Sequence, residues 1–382
     1  MEMNLNSEIP IIDCHIHYPH PMMKDSLMDV CSRLQIDRLN IVCTPHQTRL
    51  SLVPDALHLK SLFPEKVYVF GGLDVSVYFR EADRVGLAFS ETVDLLCSLG
   101  CDGIKMIEAK PQMRKMLPVP PFNSDVFAPY WQKLADTNFP LLMHVNDPEE
   151  FWDAQKAPKW AFERGWFYGD GTYINNEAQY TEILDVLRKN PNLNVIFAHF
   201  FFMSAQLERL ASYLDQFPNM SVDLTPGIEM YYSFSQNIRK TRDFFLKYQD
   251  RILFGTDIGA RALLVDPEQG IQFDESQNRV FVVRSFLENE GEFHLAENGF
   301  LFGDSKVPLL GLGLPKEVLE KIYYKNFERI VSVMPRKLNP PAIMAFCDQV
   351  ERMIEIQGSS QTGVPGDASV AKYISTYFRS LS

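Results

Sequence analysis

The sequence predicts an α/β chain folded as a (β/α)8 TIM barrel, with an aromatic insertion after the fifth strand and a C-terminal helical extension. Three observations carry that expectation. Eight short apolar runs follow one another, and segments with helical spacing of apolar residues separate them. Parallel strands need crossovers of this kind, and eight of them can close on themselves. A chain of 382 residues is long enough for such a barrel with insertions. Periodicity by itself leaves an open doubly wound sheet as the alternative.

Residues 1–9 read as an exposed lead-in and residues 10–16 as the first strand. Leu27, Val30, Cys31 and Leu34 give residues 23–35 an apolar helical face. The run Leu39-Asn40-Ile41-Val42 marks the second strand, a helix follows Pro54, and Val67-Tyr68-Val69-Phe70 marks the third. Residues 84–99 read as a helix that stops near Gly100, and Gly103-Ile104-Lys105-Met106-Ile107 as the fourth strand. A helix over 125–137 leads to the fifth strand, Pro140-Leu141-Leu142-Met143-His144-Val145.

Residues 148–174 break the rhythm with Phe151, Trp152, Trp160, Phe162, Trp166, Phe167, Tyr168 and Tyr173. An aromatic insertion after a strand suits a lid or pocket wall, with core packing or a subunit interface as alternatives. A helix from Glu177 to Arg188 then precedes the sixth strand, Asn194-Val195-Ile196-Phe197-Ala198-His199. Another helix, about 203–217, precedes the seventh, Met220-Ser221-Val222-Asp223-Leu224. A third, 236–249, precedes the eighth, Arg251-Ile252-Leu253-Phe254-Gly255-Thr256-Asp257. Residues 275–289 and 315–332 complete the outer helical layer. The barrel is expected over 1–335. The extension, 336–382, opens at Asn339-Pro340-Pro341 with a helix to about 356. It continues through the linker Gly358-Ser359-Ser360-Gln361-Thr362-Gly363 to a last helix bearing Tyr373, Ile374, Tyr377 and Phe378.

The net charge of −12 argues against nucleic acid and anionic membrane as partners, since both call for a basic face. No apolar run has the length of a membrane span, and the acidic start lacks the features of a signal peptide. The six cysteines show no zinc-finger spacing and read as reduced core residues of a cytoplasmic protein. The expected partner is a small-molecule substrate, and a homodimer is compatible with the sequence.

The chemistry gathers at strand ends. His15 and His17 leave the first strand two residues apart, so alternation points both rings the same way. Two imidazoles so placed can share a metal ion; taken alone, a pair of hydrogen-bonded core histidines fits as well. His144, His199 and Asp257 end strands five, six and eight, and active groups of a barrel sit at those ends. Three imidazoles and a carboxylate suit zinc or another borderline divalent ion with a position left for water. A strand-end histidine outside the ligand set can accept a proton.

Five segments occur in a fixed order: Ile12-Asp13-Cys14-His15-Ile16-His17, Leu142-Met143-His144, Phe197-Ala198-His199, Leu253-Phe254-Gly255-Thr256-Asp257 and Tyr323-Tyr324-Lys325-Asn326-Phe327-Glu328-Arg329. On these the chain, from Ile11 to about Ile330, resembles the amidohydrolase superfamily. The branch is amidohydrolase family 2, with aminocarboxymuconate semialdehyde decarboxylase and related hydrolases and hydratases. The resemblance implies a (β/α)8 barrel holding one catalytic divalent metal; the donor set puts zinc first, with manganese or iron(II) as alternatives. It makes His15, His17, His144 and Asp257 the ligands and His199 the residue that activates water or handles a substrate proton. Asp257 shares that proton-transfer role in hydrolytic relatives.

The activity so implied is hydrolysis of a small carboxylate-bearing or aromatic substrate by a metal-activated water. The alternatives are non-oxidative decarboxylation and a non-catalytic ligand-binding barrel. Lys105 lies in the strand from which binuclear relatives bridge two metals, but its place in Gly-Ile-Lys-Met looks too early for a bridge. Some relatives hydrolyse lactones without a metal. Asp13 is expected either to orient a ligand or to make a buried structural hydrogen bond. His46, Lys105, Arg164 and Trp166 are candidate substrate contacts, and Arg251 and Arg261 offer further cations for a carboxylate. His20, His58 and His294 read as loop or surface histidines, and Asp147 and Glu149 as solvated acids.

Overall fold

The computed structural model describes residues 8–227, 229–260, 270–295, 308–357 and 366–381. Eight strands form one parallel sheet in sequence order: β1 (Ile12–Ile16), β2 (Arg38–Val42), β3 (Val67–Gly72), β4 (Gly103–Ala109), β5 (Leu141–Val145), β6 (Val195–Phe197), β7 (Met220–Asp223) and β8 (Ile252–Leu253). Each neighbouring pair is parallel. The first and last strands meet as well. Cys14 N–H donates to Phe254 O, Asp257 N–H to His15 O and His17 N–H to Ile258 O, with a parallel bridge between Ile16 and Ile258. That seam closes the sheet into a barrel and excludes the open doubly wound alternative.

The crossover helices are α1 (Lys24–Arg33), α2 (Val53–Leu62), α3 (Val85–Leu99), α4 (Ala128–Thr137), α5 (Asn176–Lys189), α6 (Leu207–Gln216), α7 (Ile238–Lys247) and α8 (Phe273–Glu288). They form because apolar side chains recur at helical spacing, as Leu27, Val30 and Cys31 do on α1, all buried. α3 ends where Gly100 turns left-handed at φ 94°. Its missing Cβ also leaves room for the Lys337 carbonyl, which comes close to where that atom would stand.

Most of the core lies between sheet and helices. A second, smaller core with Ile12, Val42, Phe70, Leu142, Ile196 and Leu253 fills the barrel itself. Its lower end is closed by Phe327, on the short helix Asn326–Ile330, whose ring stands edge-on to Tyr68 at 4.9 Å. Packing therefore plugs the N-terminal end of the barrel, and polar groups collect at the other end.

α9 (Pro340–Gln357) and α10 (Ser369–Leu381) pack on each other, with α10 against α2 and α9 against α3. Asp367 N–H donates to Thr48 O, tying this pair to the loop after β2. The expected linker 358–363, Arg261 and most of the lead-in lie outside the described residues. Among the described residues, no helix is long and apolar enough to cross a membrane. The six cysteines are free thiols.

Candidate active site

At the C-terminal ends of β1 and β8, His15, His17 and Asp257 each bring a ligand atom within 4.8 Å of the others. His17 Nε2 lies 3.0 Å from Asp257 Oδ1, and His15 Nε2 lies 3.6 Å from the same oxygen. Donors about 2.0–2.2 Å from a tetrahedral ion stand roughly 3.3–3.6 Å apart, so the His15 spacing suits one small cation, while the His17–Asp257 pair stands at hydrogen-bond distance. Burial works against the Asp257 carboxylate, yet the His17 hydrogen bond and the charges of His17, His15 and Arg279 hold it well below the usual range. Its Oδ2 lies 3.6 Å from the Arg279 guanidinium of α8, which leaves Oδ1 turned to the two histidines.

His15 is gripped from both sides. Its Nδ1 lies 2.9 Å from Asp223 Oδ2 and 3.1 Å from Thr225 Oγ1, at the end of β7. Its Nε2 lies 3.0 Å from Lys105 Nζ. Burial, then the Lys105 charge, pushes the imidazole well below its ordinary pKa, and burial takes Lys105 down to about 8. Lys105, a candidate substrate contact, thus reaches the site from β4 beside His15. A cation between His15 and Asp257 would replace Lys105 as the partner of Nε2.

His144 is the member of the expected ligand set outside the tight group. Its Nε2 lies 2.9 Å from Asn146 O and 3.3 Å from Asp147 Oδ1. Its ring lies 4.9 Å from that of His199, which in turn lies 5.7 Å from His15. His199 therefore bridges His144 to the His15 cluster. Its Nδ1 is buried without a hydrogen-bond partner, and burial followed by the His144 charge pushes its pKa well below the ordinary value.

The backbone under His199 is unusual. His199, Phe200, Phe201 and Phe202 all have positive φ, between 52° and 59°. Such a turn costs an L-residue about 1–2 kcal/mol each. It is held by Asp223 Oδ1, which accepts His199 N–H at 2.8 Å, by Tyr180 Oη, which donates to Phe201 O, and by stacking of Phe201 on Phe197 at 4.1 Å. Asp257 and Asn146 are also left-handed, at φ 61° and 68°. Strain gathered at three strand ends marks the site.

Asp13 makes the structural bond of its two expected alternatives. Its carboxylate accepts His15 N–H at 3.0 Å and the Thr256 hydroxyl at 2.5 Å, bracing β1 against β8. The carboxylate that orients the His15 ring is Asp223, which sequence reasoning missed. The available signal was a second strand-end aspartate, at β7, matching the one after β8. Asp147 is a correction: it is buried, not solvated, and accepts from Lys110 Nζ at 2.6 Å and Tyr168 Oη at 2.7 Å. Burial opposes its charge, but Lys110 and His144 hold it below the usual carboxylate range.

Tyr168 belongs to the aromatic insertion, a small core of its own with Phe151 and Ala161 under Trp152, Trp160, Trp166 and Tyr173. Trp166 faces Lys110 Nζ at 5.8 Å, and Arg164 is exposed with its guanidinium 5.6 Å from the rings of Trp160 and Trp166. His46 Nδ1 accepts Thr48 and Arg49 N–H within its own loop. Arg251 Nη1 donates to Phe217 O and Met220 O, at the opposite end of β7 from Asp223.

With this geometry in view, a family model described as amidohydrolase matches residues 90–332. The chain belongs to the amidohydrolase family. Members of this family are metal-dependent hydrolases or decarboxylases, so the chain is an enzyme of that kind. No curated protein matches it significantly. Among solved structures, it is similar to a Staphylococcus aureus protein assigned to the amidohydrolases, at 14% identity and TM-score 0.52, over 85% of this chain and 99% of that one. It is also similar to an IDCase from Metarhizium anisopliae in apo form, at 13% identity and TM-score 0.52, over 86% and 98%. A dihydroxybenzoic acid decarboxylase from Polaromonas sp. JS666, with bound manganese and 2-nitroresorcinol, gives 12% identity and TM-score 0.49, over 84% and 96%. At these identities the likeness to the first two is one of fold.

Proposed function

We propose that this amidohydrolase is a metal-dependent hydrolase of a small molecule. One observation carries the reading: His15, His17 and Asp257 converge within 4.8 Å, beside a buried His199 whose Nδ1 has no partner. His15, His17 and Asp257 would hold the ion, with His144 as the fourth donor. Imidazole and carboxylate donors suit zinc, and manganese or iron(II) accept the same set. The chemistry supplied by a divalent ion when bound is polarisation of a substrate oxygen and acidification of water.

Asp223 fixes the His15 tautomer by accepting the Nδ1–H hydrogen bond, which leaves the Nε2 lone pair for a cation. Asp223 also anchors the His199 backbone, so ligand and base are set by one carboxylate. His199 Nδ1 accepts the proton of the attacking water and returns it to the leaving group. The aromatic insertion, tied to the site through Tyr168 and Asp147, serves as a lid that limits water and favours a flat or apolar substrate. The barrel, 1–335, carries the chemistry, and 336–382 is an extension packed on it.

Lys105 favours one other reading, non-oxidative decarboxylation, because a buried cation beside His15 suits a substrate carboxylate. Zinc- or manganese-loaded protein, assayed on aromatic and muconate-like acids and their esters, separates the two. Acid release without carbon dioxide supports hydrolysis, and carbon dioxide without acid release supports decarboxylation. Neither product, with no ion retained on purification, leaves a ligand-binding barrel.

A further inference from the structure

The loop after β7 carries a carboxylate that the chemistry above does not use. Both Glu229 carboxylate oxygens are sealed from solvent and have no hydrogen-bond partner, although the residue's own backbone N–H acts on the carboxylate. The carboxylate folds back over Gly227, where a Cβ would stand 3.0 Å from Oε2 and 3.2 Å from Oε1. The loop is braced: Tyr231 Oη donates to Leu224 O at 2.8 Å, and Ser233 N–H donates to Glu229 O at 2.9 Å. The side chain is therefore held in place without being used.

Its position is at the barrel mouth. β7 lies between β6, which carries His199, and β8, which leads to Asp257. The charges that act on Glu229 are those of Glu150 and Asp147, in the segment after β5. In that segment Asp147 contacts His144. Asp147 already has Lys110 as its counter-ion. Burial, with the Glu150 and Asp147 charges, pushes the Glu229 carboxyl up to about 8. A buried carboxyl without a partner costs free energy that a ligand can recover.

We infer that Glu229 binds a protonated nitrogen of the substrate, so that the substrate class is a small molecule with an ammonium or similar cationic group away from its reacting carbon. This rests on the hydrolase reading only for where the reacting end lies. An ammonium brings both the counter-charge and the donors that Glu229 lacks. The carboxyl ionises as the cation binds and gives its proton to solvent. A neutral hydroxyl of the same shape brings donors and no charge.

The test is calorimetric binding to the full-length, zinc-loaded protein at pH 8.5. The probes are benzylamine and 2-phenylethylamine, against benzyl alcohol and 2-phenylethanol. The wild type should bind at least one amine about tenfold or more tightly than its alcohol. Glu229→Gln, nearly isosteric, should abolish that preference, and Glu229→Asp should keep part of it. Circular dichroism and melting temperature report whether each variant folds. Equal binding of amine and alcohol, no amine binding, or a preference that persists in folded E229Q overturns the proposal. The readout needs no turnover. A protein that binds amines through Glu229 yet releases no acid from any ester overturns the hydrolase reading and leaves this one standing.

Discussion

At the scale of single residues, the site depends on acids that act through histidines. Asp223 takes His15 Nδ1 with one oxygen and the backbone N–H groups of His199 and Thr225 with the other. In Asp223→Asn those two N–H donors fix the amide oxygen on their side, so the NH2 must face His15 Nδ1. The imidazole is then driven to carry its proton on Nε2, the atom needed for a metal. We expect zinc affinity to fall about 10–100-fold, with the far-UV spectrum unchanged. Competition with a chromophoric chelator measures it, and unaltered affinity would rule out the orienting role. A second acid, Glu108 on β4, is buried and accepts Ile107 N–H, and its charge acts on the unpartnered Tyr78 and Tyr130 hydroxyls. Burial pushes its pKa from 4.5 up to about 7. Between those values the native state keeps a proton that the unfolded chain has lost, so stability falls as pH rises across that window. The full effect is about 3 kcal/mol. Glu108→Gln should therefore gain on the wild type from pH 5 to pH 8 in urea unfolding; an offset independent of pH would count against it.

At the scale of elements, much of the architecture was legible and the strained parts were not. The His15 and His17 pair, and His144, His199 and Asp257 at strand ends, could be read because apolar runs locate strands and barrel strands present function at one end. Asp223 had only its strand-end place to announce it, since its role arises from a ring 208 residues away in sequence. Asp147 follows a strand and precedes Pro148 and Glu149, which reads as a solvated turn; only the arrival of Lys110 and Tyr168 buries it. The sixth strand was expected to run to His199 and stops at Phe197, because the left-handed turn begins there with no glycine to announce it. The extension offers a test at this scale. His58 on α2 is buried under the edges of Tyr373 and Tyr377 of α10, at 5.5 and 4.7 Å. Burial, with the Lys24 charge, lowers its pKa, so the docked state holds the neutral ring. Protonation is then easier in the undocked state, and docking weakens as pH falls below about 6.5. Hydrogen-exchange protection over 369–381, corrected for intrinsic rate, should drop between pH 7.5 and 5.5 in the wild type and change less in His58→Phe.

At the scale of the whole molecule, the site sits on the closure of the barrel. The bonds that join β1 to β8 run through Cys14, His15, His17 and Asp257, the last three being the residues whose side chains converge. A cation held by these side chains clamps the first strand to the last, across 240 residues of sequence. The unfolded chain has no such convergence, so binding energy becomes folding energy. Zinc at a hundredfold excess over its dissociation constant should add about 2.7 kcal/mol to stability. The melting temperature should rise with zinc and return on chelation. His17→Ala and Asp257→Asn should lose that dependence. His294→Ala should keep it, since His294 is exposed and pairs with Glu292 on a separate two-stranded ribbon, Glu290–Phe293 with Leu309–Leu312. A melting temperature that ignores zinc in the wild type, or tracks it equally in all three variants, would detach the metal from the seam.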